Sequence, residues 1–192
     1  MVVSMDAEKR SRDDWTAAGL THLGDVGVDK VRVDRIAATL GVTKGSFYWH
    51  FKDREELLTA IVDGWETKHT EDVINQVVSS GLDSHGRARQ LWNLTNGDPS
   101  IQAELAIRDW ARRDEGIASR VQRVDDRRLG YVESLLAELD LPAAEIPARA
   151  LLLYSLLFSD YLIATSHPTH TRRQMVADAL DLLLRSSQET QT

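Results

Sequence analysis

The sequence predicts an all-α protein, and two observations lead to that fold class. Every stretch with a clear apolar period repeats at steps of three and four residues, which places its apolar side chains on one face of a helix. The alternation of apolar and polar residues that is typical of a half-buried strand is not convincing anywhere in the chain. The chain has 192 residues and is 42% hydrophobic, so it can bury a core.

The first predicted helix spans about residues 13–26. One face of it holds apolar or small side chains at helical spacing, apart from one histidine: Trp15, Ala18, Gly19, His22, Leu23 and Val26. Gly24 and Gly27 weaken its end, because glycine has a low helix propensity. A second, short helix is predicted over residues 33–40, and Gly41 ends it.

The third and fourth helices are predicted from their capping residues. Thr43 can cap a helix over residues 44–50, because its hydroxyl can accept hydrogen bonds from the unpaired N–H groups of the first turn. Asp53 and Glu56 form a D-x-x-E pair that is similar to a capping box. That pair predicts a fourth helix that runs to about Trp65.

The rest of the chain is predicted to form further helices, at about residues 73–78, 85–94, 101–113, 117–139, 143–165 and 171–185. The sequence Asn96-Gly97-Asp98-Pro99 between two of them is a strong turn signal. Residues 150–164 are the most apolar stretch, but they fall short of the ~20 residues that span a bilayer. We therefore expect a buried helix there and no membrane anchor.

Composition and charge limit the classes of function. The formal net charge of −7 argues against a nucleic-acid partner, but residues 30–54 hold six basic and only two acidic side chains. Such a local basic patch is what backbone phosphates require. The chain has no cysteine, which excludes disulfides and favours a reducing compartment, and residues 1–15 mix charges where a signal peptide needs an apolar run. We expect a cytoplasmic protein.

Residues 31–56 give the strongest indication of function. Two short helices joined by Gly41-Val42 predict a helix-turn-helix, whose second helix can lie in the major groove of DNA. Lys44 and Ser46 stand in the first turn of that helix, where side chains reach base edges. Hydrogen-bond donors suited to phosphate oxygens follow: Tyr48, His50, Lys52 and Arg54. Phe47 and Phe51 are predicted to face inward and to fix the helix.

The stretch LGVTKGSFYWHFKDREELLTAI resembles the recognition helix and the following helix of the tetracycline-repressor (TetR) family. The positions that match its G-V-x-K-G-x-x-Y-x-H-F core are Gly41, Val42, Lys44, Gly45, Tyr48, His50 and Phe51. Ile36-Ala37 and Gly27 also match the family's pattern. The resemblance extends over about forty residues. The C-terminal two thirds are similar only in size and helical character.

The resemblance implies specific DNA contacts. Candidates for the groove are Thr43, Lys44, Ser46 and Trp49, and candidates for the phosphates are Tyr48, His50, Lys52 and Arg54. The family usually has Ser or Thr at the start of its second helix, where this chain has Val31-Arg32, so Arg32 becomes the candidate phosphate contact there. Trp49 could instead pack under the neighbouring helix. His22 stands where the family usually has leucine, which leaves the packing of the first helix open.

The resemblance also implies a homodimeric transcription regulator with two domains. Residues 1–65 would bind DNA, and residues 66–192 would bind a small-molecule effector and dimerise. Repression of a near-palindromic operator, relieved by the effector, is the default in the family, while activation stays open. The last two helices are apolar around nearly the whole circumference, which predicts a four-helix bundle with the partner subunit.

We expect the effector pocket to contain Trp92 and Trp110, on either side of the Asn96–Pro99 turn. Their polar neighbours would come from Asn93, Arg108 or Tyr131. The alternative for each of these aromatic residues is plain core. An effector-free DNA-binding protein would have a closed, fully packed C-terminal core, whereas a cavity of a few hundred Å³ would favour an effector.

Catalysis, metals and cofactors are not expected. The sequence has no nucleophile–base set, Walker-type loop or dinucleotide fingerprint. The acids and arginines of IRDWARRDEG fit an exposed, salt-bridged face better than a catalytic pair. His167 and His170 flank a proline in a predicted loop, with no acid or cysteine nearby in sequence to complete a metal site. An enzyme with an accessory helix-turn-helix is the weaker alternative.

Overall fold

The computed structural model describes residues 10–96 and 100–185. All regular structure in these residues is helical, so the predicted all-α fold class is confirmed. Among the helices of this described part, none is both long and apolar enough to cross a membrane. Most of the turn that was predicted at Asn96–Pro99 lies outside the described residues.

The α-helices are α1 (Arg12–Val26), α2 (Val33–Leu40), α3 (Lys44–Phe47), α4 (Arg54–Glu66), α5 (Asp72–Val78), α6 (Ser84–Thr95), α7 (Ile101–Ala111), α8 (Glu115–Leu136), α9 (Ile146–Leu162) and α10 (Arg172–Leu184). Short 3-10 segments cover Val28–Lys30 and Ala143–Glu145, and a π-helical segment, Thr67–Glu71, joins α4 to α5. The predicted helices all exist, and most of their ends lie within two residues of the prediction.

Four predicted details of these helices are wrong. The regular part of α3 ends at Phe47, because the N–H groups of Tyr48, Trp49 and His50 each bond to the carbonyl three residues earlier. The Thr43 hydroxyl makes no capping hydrogen bond. Helix α8 ends at Leu136 and α9 at Leu162, each three residues short of the predicted end.

The described residues form two compact units. The first contains residues 10–72 and 100–124, and the second contains residues 73–96 and 125–185. Helix α7 therefore belongs to the first unit although it follows α6 in the chain. The boundaries of these units do not coincide with residue 65. The division into DNA-binding residues 1–65 and effector-binding residues 66–192 stays a prediction about function.

The core of the first unit lies among α1, α2, α4 and α7. Trp15 and Leu23 of α1 are fully buried there, together with Ile61 and Trp65 of α4. At the edge of this core Trp65 Nε1 donates to the carboxylate of Glu104, at 2.7 Å. Arg120 of α8 pairs with Glu66 at 2.8 Å and adds a polar link to α4.

The second unit contains most of α5, the C-terminal part of α8, and the whole of α6, α9 and α10, and it has two apolar clusters. One holds Leu136, Ala150 and Leu180, and the other holds Ile74, Val77, Tyr131 and Leu135. A capping box between Thr171 and Gln174 fixes the start of α10. Arg149 donates to the carbonyls of Leu183 and Arg185 and so satisfies the opposite end of that helix.

Candidate nucleic-acid interface

The turn between α2 and α3 fixes where α3 begins. Gly41 has φ +69°, a left-handed conformation that glycine adopts at little cost. Its N–H bonds to the carbonyl of Ala38, and the N–H of Val42 bonds to the carbonyl of Ala37 at 3.0 Å. These two bonds form a Schellman motif, which ends α2 and turns the chain into α3.

Two inward-facing rings hold α3 on the domain, as predicted. Phe47 and Phe51 are almost fully buried, and their rings stack with centroids 5.4 Å apart. Trp15 of α1 meets Phe47 edge to face at 5.4 Å. The guanidinium of Arg12 lies 4.3 Å from the centre of the Phe51 ring and donates to the carbonyl of His50. The opposite side of α3 is therefore presented on a rigid support.

The outer side of α3 exposes the side chains predicted to meet DNA bases. Tyr48 is 61% exposed and Trp49 is 81% exposed, so Trp49 does not pack under a neighbouring helix. Thr43 and Lys44 are exposed as well, and Ser46 is half-buried. Lys44 has no ion-pair partner among residues 10–96 and 100–185, so its charge is available to an external anion.

Five of the predicted contact residues line one open groove: Arg32, Lys44, Tyr48, Lys52 and Arg54. They come from the start of α2, from α3 and from the start of α4, and only the folded chain brings them together. Asp34 and Asp53 also line the groove, so its four basic side chains outnumber its acidic ones. A groove with this charge balance and an exposed phenol suits phosphate oxygens.

Comparison with known proteins agrees with this geometry. Residues 16–61 match the family model of the bacterial regulatory proteins of the tetR family, and the match contains α2, the turn and α3. The class A tetracycline repressor from transposon 1721 of Escherichia coli is 33% identical over 99 residues, which is 50% of this chain and 40% of that repressor. Residues 16–61 of this chain therefore form a domain of the tetR-family type.

The aligned parts of the curated TetR-family relatives cover less than half of their length. The class C tetracycline repressor of Escherichia coli is 36% identical over 63 residues, which is 32% of this chain and 29% of that protein. Solved structures extend the likeness of fold to nearly the whole chain. A transcriptional regulator from Rhodococcus sp. Rha1 has a TM-score of 0.68 at 16% identity and covers 91% of this chain and 94% of its own.

A second solved structure is SmeT, the repressor of the Stenotrophomonas maltophilia multidrug efflux pump SmeDEF. It has a TM-score of 0.57 at 19% identity and covers 93% of this chain and 90% of its own. At these identities the two structures support the fold and nothing finer.

Arg54 differs from the other candidate contacts of this TetR-family domain. Its Nε donates to the carbonyl of Val31 at 2.9 Å, and its Nη2 donates to the carbonyl of Val28. Its Nη1 pairs with Glu55 at 2.8 Å. All three nitrogens are thus used to tie α4 to the segment before α2, so we do not retain Arg54 as a phosphate contact.

His50 and Arg32 are also less available than predicted. The Nε2 atom of His50 is buried and has no hydrogen-bond partner among the described residues, so this nitrogen cannot reach a phosphate. Arg32 lies at the start of α2 as expected, but its guanidinium makes two hydrogen bonds to Asp34, at 3.1 and 3.0 Å. These hydrogen bonds lower the pKa of the Asp34 carboxyl, so the pair stays charged near neutral pH.

Sequence reasoning missed Arg12 and assigned only part of the role of Glu56. The Asp53 side chain caps Glu56 N at 2.9 Å, as predicted. The Glu56 carboxylate, however, accepts the backbone N–H of Lys52 at 2.8 Å and a hydrogen bond from Arg12 at 3.0 Å. These two bonds lower the pKa of Glu56, the backbone N–H contributing most. Glu56 therefore fixes the backbone at Lys52 and ties it to α1.

The five predicted effector residues are divided between the two units. Trp92, Asn93 and Tyr131 belong to the second unit, and Arg108 and Trp110 belong to the first. Trp110 packs against the apolar core of its own unit, and Arg108 pairs with the buried Glu104 at 2.7 Å. Both side chains therefore have structural roles within the first unit, and a pocket that contains both indoles stays a prediction.

The other three predicted effector residues differ in their surroundings. Trp92 lines an apolar cavity of the second unit. Tyr131 is buried in a separate apolar cluster, and Asn93 is exposed. Of these three residues, Trp92 is the one that lines this cavity, and effector contacts by Asn93 and Tyr131 stay predictions.

Proposed function

We propose that this protein is a homodimeric TetR-family repressor that leaves a near-palindromic DNA operator when it binds a small-molecule effector. The observation on which DNA binding rests is the groove beside α3, with Lys44 and Tyr48 exposed on a helix that Phe47 and Phe51 fix. Groove contacts by Thr43, Ser46 and Trp49, and phosphate contacts by Arg32 and Lys52, belong to the same proposal.

Alanine substitution of the contact residues tests DNA binding. Lys44→Ala and Tyr48→Ala should each weaken binding by about 1–3 kcal/mol, because each removes a contact to base edge or phosphate. The affinity is measured by fluorescence anisotropy at fixed salt, on a duplex that the protein has enriched from random DNA. Lys68→Ala is the matched control, since this exposed lysine lies in the π-helical segment beyond α4. Unchanged affinity in both variants, with unchanged helical circular dichroism, would remove α3 as the recognition helix.

Exposed leucines on α9 and α10 support the homodimer. Leu151, Leu152 and Leu162 of α9 and Leu182 of α10 are each at least half exposed, and Leu182 reaches 63%. Leu152, Leu162 and Leu182 line one apolar groove between the two helices. Contiguous exposed apolar surface of this kind marks an interaction site. A symmetry-related copy of the same two helices would cover it and form a four-helix bundle.

A charge in that groove should separate the dimer. Leu182→Glu is expected to raise the dimer dissociation constant by at least about 100-fold, because the interface would bury an unpaired carboxylate twice. Sedimentation at micromolar concentration should show a dimer for the parent chain and a monomer for Leu182→Glu. Leu82→Glu is the control, since Leu82 is 48% exposed but lies outside both helices. A monomeric parent chain at that concentration would contradict the proposal.

The proposed regulation depends on the distance between the two recognition helices of the dimer. Two recognition helices must lie about 34–36 Å apart, or a multiple of this distance, to enter successive major grooves of a two-fold symmetric operator. An effector that binds better to the protein off DNA than on DNA must reduce operator affinity, and operator DNA must reduce effector affinity by the same factor.

A further inference from the structure

The second unit has a partly open cavity among α6, α8, α9 and α10. Its wall includes Ala88 and Trp92 of α6, Val132 of α8, Leu153 and Tyr154 of α9, and Leu180 of α10. Among the described residues that line it, none has a charged side chain, and only a threonine and a tyrosine have a polar side-chain atom in addition to the Trp92 indole N–H. A ligand inside would therefore meet an almost wholly apolar surface.

The two hydroxyls in this wall already have partners. Thr95 donates to the carbonyl of Leu91 in its own helix at 2.9 Å. Tyr154 donates to the carboxylate of Asp125 at 2.7 Å and accepts a hydrogen bond from Arg128 at 3.3 Å. A ligand that bonded to either hydroxyl would have to compete with a bond inside the protein. The cavity therefore offers little hydrogen bonding to a polar ligand and no opposite charge to an ion.

The cavity has a volume of about 50 Å³. That is far below the roughly 300–1,000 Å³ of pockets that hold drug-sized molecules. A large effector would have to push apart helices that are packed on each other. Even a single ring must widen the cavity, since an apolar cavity that binds benzene has about 150 Å³, but it requires the smaller movement of the wall. The size of the cavity therefore favours a compact ligand.

We propose that this cavity binds a small, uncharged, apolar molecule, about the size of a single hydrocarbon ring. That this molecule is the effector rests on the proposed function, whereas its binding to the cavity does not. Helices α9 and α10 line part of the cavity and also carry the exposed leucines. A ligand that widens the cavity therefore also moves the helices proposed to form the dimer.

The test compares toluene with two charged molecules of similar size, benzylammonium and benzoate. Calorimetric titration of the full chain should show toluene binding, with each charged probe at least about tenfold weaker, because burial leaves its charge unpaired. Equal or tighter binding of either charged probe in the cavity would overturn the proposal. The absence of toluene binding up to its solubility limit would overturn it as well.

Variants locate the bound probe. Ala88→Leu should abolish toluene binding, because the added carbon atoms occupy the cavity, and Val132→Leu is the smaller change if Ala88→Leu fails to fold. Thr95→Val and Tyr154→Phe remove the two hydroxyls and should leave the toluene affinity within about twofold. A larger loss in either of these folded variants would show polar recognition and contradict the proposal.

DNA binding is measured separately on the duplex enriched from random DNA. If the parent chain binds this DNA but not toluene, the inference about the cavity fails and the proposed DNA binding stands. If toluene binds and leaves DNA affinity unchanged, the chemistry of the cavity stands and toluene-like molecules are excluded as effectors.

Discussion

Arg108→Met is expected to lower the free energy of unfolding by about 3–5 kcal/mol, the cost of leaving a buried charge without its partner. The charge is that of Glu104, which is only 5% exposed. Its carboxylate accepts from Arg108 Nε at 2.8 Å and from Trp65 Nε1 at 2.7 Å. Removing the arginine takes away a cationic partner of a carboxylate that water hardly reaches, while the Trp65 indole is a neutral donor.

A second substitution isolates the electrostatic part of this effect. Glu104→Gln keeps an amide oxygen that can accept from Trp65 and removes the negative charge. In that background Arg108→Met should cost only about 1 kcal/mol, near the value of one ordinary hydrogen bond. The coupling between the two positions is then the difference between the costs of Arg108→Met in the two backgrounds.

The control lies on the same segment of chain. Arg112 follows α7 directly, is exposed and forms no ion pair within the described ranges, so Arg112→Met should change stability by no more than about 0.5 kcal/mol. Chemical denaturation followed by circular dichroism measures the parent chain and the four variants. Equal, small losses for Arg108→Met and Arg112→Met would contradict the buried-charge argument.

Arg108 also illustrates the limit of prediction from this sequence. The sequence places Glu104 and Arg108 four residues apart, which is enough to expect an ion pair on one helix. It does not contain the information that Trp65, 39 residues earlier, closes the network and buries it. An arginine whose predicted partner is local looks exposed in sequence, so the place of Arg108 in a buried network could not be predicted.

The helix-turn-helix was predictable because its signals are local. The Gly41 turn and the inward-facing Phe47 and Phe51 all depend on residues a few positions apart. Arg54 was misassigned for the opposite reason, since its backbone partners lie 23 and 26 residues earlier in the chain. Helical periodicity likewise predicted helix α7 correctly, but it could not show that α7 belongs to the first unit.

Gly24 shows the same limit in a helix interior, where the sequence suggested only a weak helix end. In the structure α1 and α7 approach so closely here that a Cβ on Gly24 would stand 2.8 Å from the backbone nitrogen of Ala103. It would also lie 3.1 Å from the carbonyl carbon of Gln102. Backbone atoms cannot rotate away as a flexible side chain can, so the contact requires glycine.

Gly24→Ala is therefore expected to destabilise the protein by about 3 kcal/mol, the upper end of the usual cost of overpacking. The gain in helix propensity from alanine, about 1 kcal/mol, offsets only part of the cost of moving one helix off the other. Gly130→Ala is the matched control, because Gly130 is an exposed residue within α8 and a Cβ there would meet no atom within 4 Å. The same chemical change should there stabilise the protein by about 0.5–1 kcal/mol. Denaturant unfolding of the two variants should thus shift in opposite directions, and a stabilising effect at both positions would contradict the close approach of α1 and α7.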